Sequence, residues 1–235
     1  NTAWCTLDDT QAGLYNAILR ESRDKLSQSI ERDGFAKNRM NVLTALLRLR
    51  QVCCDPGLVF DHDGTPGGGA KRELFRELLR EAVEGGHRVL VFSQFVGMLE
   101  RLRTDVEDLG VSCGWLTGSS VDRGQQVKDF QDGKHPVFLL SLKAGGYGLT
   151  LTAADTVILY DPWWNPAVEA QAIDRAHRIG QTKVVTAYRL AARGTVEEKI
   201  LKLQEKKRAV ASQTLTAAEV MESLDDNELR DLLEI

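Results

Sequence analysis

Cysteine is sparse in this 235-residue chain, and none of Cys5, Cys53, Cys54 and Cys113 stands in a C-x-x-C pair. That spacing excludes a paired-cysteine zinc site, and adjacent Cys53 and Cys54 read most simply as small buried residues. No convincing set of His, Cys or carboxylate partners stands at ligand spacing around His177, so no metal site is expected. Apolar runs are short. No stretch approaches the ~20 residues that a membrane helix requires, and the start NTAWCTLDD lacks a basic-then-apolar signal pattern. The expectation is an intracellular chain with reduced thiols and no membrane partner. Two further motifs are missing: G-x-x-x-x-G-K-[ST], which cradles phosphates, and a D-E-A-H-like acidic box for magnesium. A self-contained P-loop triphosphatase is thereby excluded.

Net charge is −4, which by itself disfavours a polyanionic partner. Its distribution argues the other way. Residues 165–210 hold ten Lys or Arg against five Asp or Glu, a balance of +5, while residues 211–235 hold one Arg against seven acids, or −6. The overall balance therefore hides a basic stretch beside an acidic one, and local charge is what matters for a polyanion. Lys199, Lys202, Lys206, Lys207 and Arg208 also suit the wet face of a helix.

Periodicity divides the chain. Thr6 and Asp9 open a capping-box pattern, and Leu14, Tyr15, Ile18, Leu19, Leu26 and Ile30 follow at helical spacing up to Gly34. A second helix is predicted over about 38–52, with Val42, Leu43, Leu46, Leu47 and Leu49 as its apolar set. DHDGTPGGGA at 61–70 has no period and reads as a linker. Beyond it, helices at 71–84, 96–109, 122–131 and 166–178 alternate with short strands at 88–93, 112–116, 136–141, 156–160 and 183–190. Runs such as VLVFS and VFLLS are apolar throughout, as in parallel strands covered on both faces. The rhythm predicts an α/β doubly wound parallel sheet, with ligands beyond the strand carboxyl ends. Thr195 and Glu198 then open a tail helix to about residue 212, followed by two short helical segments.

Four segments carry chemistry. QAIDRAHRIGQ, residues 171–181, sets Arg175 and Arg178 about one helical turn apart, where two forked guanidiniums suit phosphate oxygens. Ordinary solvated helix faces share that spacing. Ser141–Thr152 has Gly145, Gly146 and Gly148 for close backbone approach, with Lys143 as a cation. LTGSS at 116–120, followed by Arg123, puts the Ser119 and Ser120 hydroxyls at a helix start, which suits phosphate or a simple cap. LVFSQF at 90–95 ends a strand on Ser93 and Gln94, and Ser93 also fits a capping role. In DPWWNP, residues 161–166, Trp163 and Trp164 are either core plugs or contact groups.

The order of these segments, DPWWNP above all, resembles the Swi/Snf-type family of double-stranded DNA translocases within the superfamily-two helicases. The resemblance spans essentially the whole chain, and chromatin remodellers and bacterial relatives are among its members. It implies a RecA-like second motor lobe at 71–193, a helical insertion at 1–60 that joins two lobes, and a C-terminal helical brace at 194–235. It also implies arginine fingers at Arg175 and Arg178, and nucleotide contacts from Gly148, Thr150, Gln171 and Asp174. DNA-backbone contacts would come from Ser93, Gln94, Ser119, Arg123, Ser141, Lys143 and Trp164. Where Thr150 stands the family usually has Asn, so an amide-specific contact there is in question. ATP and Mg2+ would be bound mainly by a first lobe outside this sequence, with neither expected on this piece alone. Double-stranded DNA and that first lobe are the implied partners. The implied setting is the nucleoid of a bacterium, the expected source, or the nucleus of a eukaryote. The alternative is a non-catalytic nucleic-acid or protein-binding module derived from such a lobe, against which the intact arginine pair argues. DPWWNP and the brace-like tail disfavour an RNA helicase lobe.

Overall fold

The computed structural model describes residues 1–60, 67–142, 144, 148–208 and 224–235. Lys143, Gly145 and Gly146, most of the 61–70 linker and the tail between 209 and 223 lie outside the described residues.

Helix α1, Asp9–Asp33, is capped by Asp8, whose side chain accepts from the Gln11 amide, so the cap is Asp8 and not Thr6. Gly34, at φ 81°, ends it and turns the chain into α2, Phe35–Cys54. Leu46 and Leu49 of α2 are fully buried, but Leu47 faces outward. A short α3, Gly57–Phe60, precedes the linker, and α4, Ala70–Glu84, follows it.

The strands are β1 (Thr2–Cys5), β2 (Val89–Ser93), β3 (Cys113–Leu116), β4 (Val137–Ser141), β5 (Thr156–Leu159) and β6 (Thr186–Ala192). Among the described residues they form one parallel sheet in the order β1-β6-β5-β2-β4-β3. Helices α5 (Val96–Asp108), α6 (Arg123–Gln131) and α7 (Pro166–Ile173) connect them. The central strands are apolar throughout because successive side chains enter opposite layers. Val89 and Val91 pack with Phe75 of α4 and Met98 of α5, whereas Leu90 and Phe92 pack with Phe130 of α6 and Ala172 of α7.

Strand β1 has no counterpart in the sequence reading, which placed only helices in 1–60. Its four residues pair in register with Arg189–Ala192, and a run that short carries no period of its own. A third cluster joins α1 and α2 to α8 (Val196–Arg208) and α9 (Asp226–Leu233) through Leu26, Leu46, Leu49, Ile200, Leu229 and Leu233. The tail therefore packs on the amino-terminal helices. Its caps differ slightly from expectation: Glu198 accepts from Gly194 N, while Thr195 Oγ1 accepts from Glu197 N. The capping box in the tail belongs to Asp225 and Glu228 of α9.

Among the described residues no helix is long and apolar enough to cross a membrane, and no group of three or more His, Cys, Asp or Glu could hold a metal.

Candidate nucleotide and nucleic-acid interface

Parallel pairing brings the carboxyl ends of β5, β2, β4 and β3 side by side, with neighbours about 4.8 Å apart. Asp161, Ser93 with Gln94, Ser141 and Thr117 therefore form a row along one edge. Ser93 is fully buried, and its hydroxyl donates to Asp161 Oδ1 while accepting from Phe95 N. Ser141 is also buried and caps the Ala144 amide. Both serines shape the edge, and neither hydroxyl lies on its surface. Ser119 is exposed, its Oγ 3.0 Å from Thr117 Oγ1, and Arg123 reaches across to the Ala144 carbonyl at 3.2 Å. The loops after β3 and β4 are thereby tied together.

Trp163 and Trp164 are both core groups, at 3% and 5% exposure, which favours the plug over the contact reading for their rings. Trp163 meets Phe92 edge-on, and Trp164 lies under the Arg50 guanidinium at 5.3 Å. Several of the turn's buried polar groups are satisfied from distant elements, although Trp163 Nε1 has no partner among the described residues. Glu169 Oε1 accepts from Trp163 N at 2.9 Å, Gln204 of α8 donates to Glu169 and to the Trp163 carbonyl, and Arg189 pairs with Glu169. Sequence reasoning missed Arg50, Glu169 and Gln204. Only Arg50 left a signal, since it stands four residues after Leu46 on the buried face of α2.

The arginine segment departs from its expected form. Helix α7 stops at Ile173, so the helix predicted to Arg178 gives way to a series of turns. Gly180, at φ 104°, redirects the chain, and the Gln181 amide pins it by donating to the carbonyls of Thr152, Ala154 and Ala176. Arg175 and Arg178 consequently do not share one helix face. Arg178 is exposed and donates to the Gly148 carbonyl at 3.1 Å, with Thr150 Oγ1 at 3.4 Å. Arg175 is 6% exposed, and its Nε and Nη1 have no partner among the described residues. Burial, reinforced by the Arg178 charge, lowers its pKa, as befits a guanidinium without a counter-charge.

Gly148, Thr150 and Arg178 thus come together, and Thr150 and Arg178 line a cleft of about 620 Å³ with His177, Ile179, Gln181 and Lys183. Gln171 and Asp174 are exposed at the end of α7. Gln181 and Lys183 tie this group to Thr152–Asp155, the amino-terminal entry to β5. A triphosphate's terminal oxygens suit the orphaned Arg175 donors, whereas the cradle and the metal ligands are not among these residues.

Residues 70–180 match the helicase conserved C-terminal domain. An uncharacterized ATP-dependent helicase of Mycoplasma pneumoniae is 37% identical over 225 residues, covering 94% of this chain and 22% of that protein. The chain spans a quarter or less of the length of such relatives. The Sulfolobus solfataricus SWI2/SNF2 ATPase C-terminal domain superposes with a TM-score of 0.77 and 29% identity, over 100% of this chain and 97% of that one. The core of the same ATPase in complex with dsDNA gives 0.79 and 30%, over 100% of this chain and 50% of that one. A sheet of this order, entered through these loops, is a RecA-like carboxyl-terminal lobe, and the chain belongs to the Swi/Snf-type family of superfamily-two helicases.

Proposed function

We propose that this chain is the second motor lobe of a DNA-dependent ATPase that translocates on double-stranded DNA. The observation that carries this reading is a buried Arg175, whose Nε and Nη1 have no partner among the described residues, close in sequence to an exposed Arg178 held to Gly148 and Thr150. A guanidinium kept out of water without an acceptor is costly, so a structural role alone does not account for it. Closure onto a first lobe would supply the acceptor, in the form of the charge that develops on a transferring phosphoryl group. Bound ATP and Mg2+ supply the phosphoryl chemistry. On this chain Arg175 and Arg178 neutralise charge, and Gly148, Thr150, Gln171 and Asp174 line the approach. The row ending β2, β4 and β3 contacts the DNA backbone through Gln94, Ser119 and Arg123, donors suited to phosphate and indifferent to sequence.

The chain alone should not hydrolyse ATP, because neither phosphate cradle nor acidic box occurs in it. Steady-state phosphate release is the test, on the 235-residue chain and on a protein joining it to a first lobe, with and without duplex DNA. DNA-stimulated turnover confined to the two-lobe protein is the expected result. Turnover by the chain alone that Arg175→Ala abolishes would overturn the proposal.

A further inference from the structure

Arg50 of α2 is 1% exposed, yet it reaches the strand-end row. Its Nη2 donates to Gln94 Oε1 at 2.9 Å and to the Pro162 carbonyl at 2.5 Å, and it lies 3.7 Å from Asp161 Oδ2. The guanidinium carbon lies 5.7 and 5.3 Å from the centroids of the Phe95 and Trp164 rings. One side chain from the helical segment therefore touches the ends of both β2 and β5.

The chemistry of the pair fixes an orientation. Arginine has donors and no acceptor, so the Gln94 amide must turn its oxygen toward Arg50 and its NH2 away. The Gln94 backbone amide is held as well, 3.3 Å from both Asp161 carboxylate oxygens. Among the described residues nothing accepts from Gln94 Nε2, and the side chain is only partly buried. A half-exposed amide with its oxygen engaged offers two donors and no acceptor to the open side. That polarity suits a phosphate oxygen and repels nothing on a polyanion.

We infer that Arg50 is a positioning residue that locks Gln94 as an outward hydrogen-bond donor for a nucleic-acid phosphate and packs the Trp164 turn beside it. The inference rests on the proposed DNA-facing role of this edge and adds a residue from outside the RecA-like fold to it. Lysine in place of Arg50 keeps a positive charge but is shorter and lacks the flat guanidinium that lies over the Phe95 and Trp164 rings, so its ammonium does not reach the position of Nη2 beside Gln94 and Pro162.

The experiment is a double-mutant cycle on duplex binding by the 235-residue chain at low salt, read by fluorescence anisotropy. Arg50→Lys and Gln94→Ala should each weaken binding roughly tenfold, the size of one hydrogen bond to a charged group. The double variant should be no weaker than either single one, because Arg50 acts through Gln94. Gln94→Glu keeps an oxygen for Arg50 and preserves the fold while turning its second oxygen outward, so it should bind more weakly than Gln94→Ala. This arm decides the matter even where Arg50→Lys fails to fold. Losses that add, or a Gln94→Glu variant that binds like wild type, overturn the positioning role and leave the DNA-facing reading standing. A wild-type chain that binds no duplex overturns both.

Discussion

Lys71 and Glu197, both fully buried, face each other at 2.5 Å between α4 and α8. The Tyr160 ring lies 5.7 Å from the ammonium, and Glu197 Oε2 also accepts from the Ala192 amide. A pair this deep gains Coulomb energy only by offsetting the desolvation of two ions. Its consequence is to join the first helix after the linker to the carboxyl-terminal brace. Lys71→Met or Glu197→Leu should each cost ~3–5 kcal/mol, because the surviving group is left buried without its partner. The double replacement Lys71→Met with Glu197→Leu should cost much less than the sum. Urea unfolding of the four proteins checks this, and additive losses would count against the pair.

Arg175 carries an opposite expectation for stability and for activity. Arg175→Met removes a buried cation whose Nε and Nη1 have no partner among the described residues and should stabilise the chain by ~1–3 kcal/mol. In a two-lobe protein the same variant should lower turnover ~10³-fold with little change in DNA affinity. Arg178→Ala should match the kinetic loss but not the gain in stability, since Arg178 is exposed and bonded to the Gly148 carbonyl. Normal hydrolysis in both variants would return the pair to a structural role.

Binding to duplex DNA should be weak, salt-sensitive and alike on unrelated sequences, because the contacts proposed through Gln94, Ser119 and Arg123 are donors suited to phosphate oxygens. Each neutralised phosphate contributes about 0.9 to the slope of log affinity against log salt. Arg123→Ala should therefore lower that slope by about one contact. Isotherms on two sequences across a salt series decide, and a marked sequence preference would oppose the reading.

The Asp161 carboxyl has its pKa raised to about 6, chiefly by burial, with Arg50 and the Ser93 hydroxyl working in the other direction. In the unfolded chain it titrates near ~3.9. The folded state thus holds the proton more tightly, so this group's contribution to stability is largest below pH ~4 and falls as pH rises toward 6, by ~3 kcal/mol. Stability of Asp161→Asn should consequently decline less than wild type over that window in urea titrations. A carboxyl carbon resonance for Asp161 with a midpoint below pH 4 would contradict the assignment.

What the sequence determined by itself was whatever is local. Short apolar runs such as Val89–Ser93 and Val137–Ser141 read as doubly covered strands, and their alternation with helical periods made the parallel sheet legible. The arginine, glycine and tryptophan segments were legible as motifs for the same reason, since their chemistry lies in residue types a few positions apart. Tertiary structure decided what depends on distant partners. Thr2–Cys5 became a strand because Arg189–Ala192 lies beside it, and α7 ended at Ile173 because Gln181 found the carbonyls before β5. Trp163 and Trp164 went into the core because Arg50 and Gln204, from opposite ends of the chain, cover the turn between them. No window of neighbouring residues contains such a pairing. Burial of a charged or amide side chain becomes favourable only once the fold has brought its partner within hydrogen-bond reach.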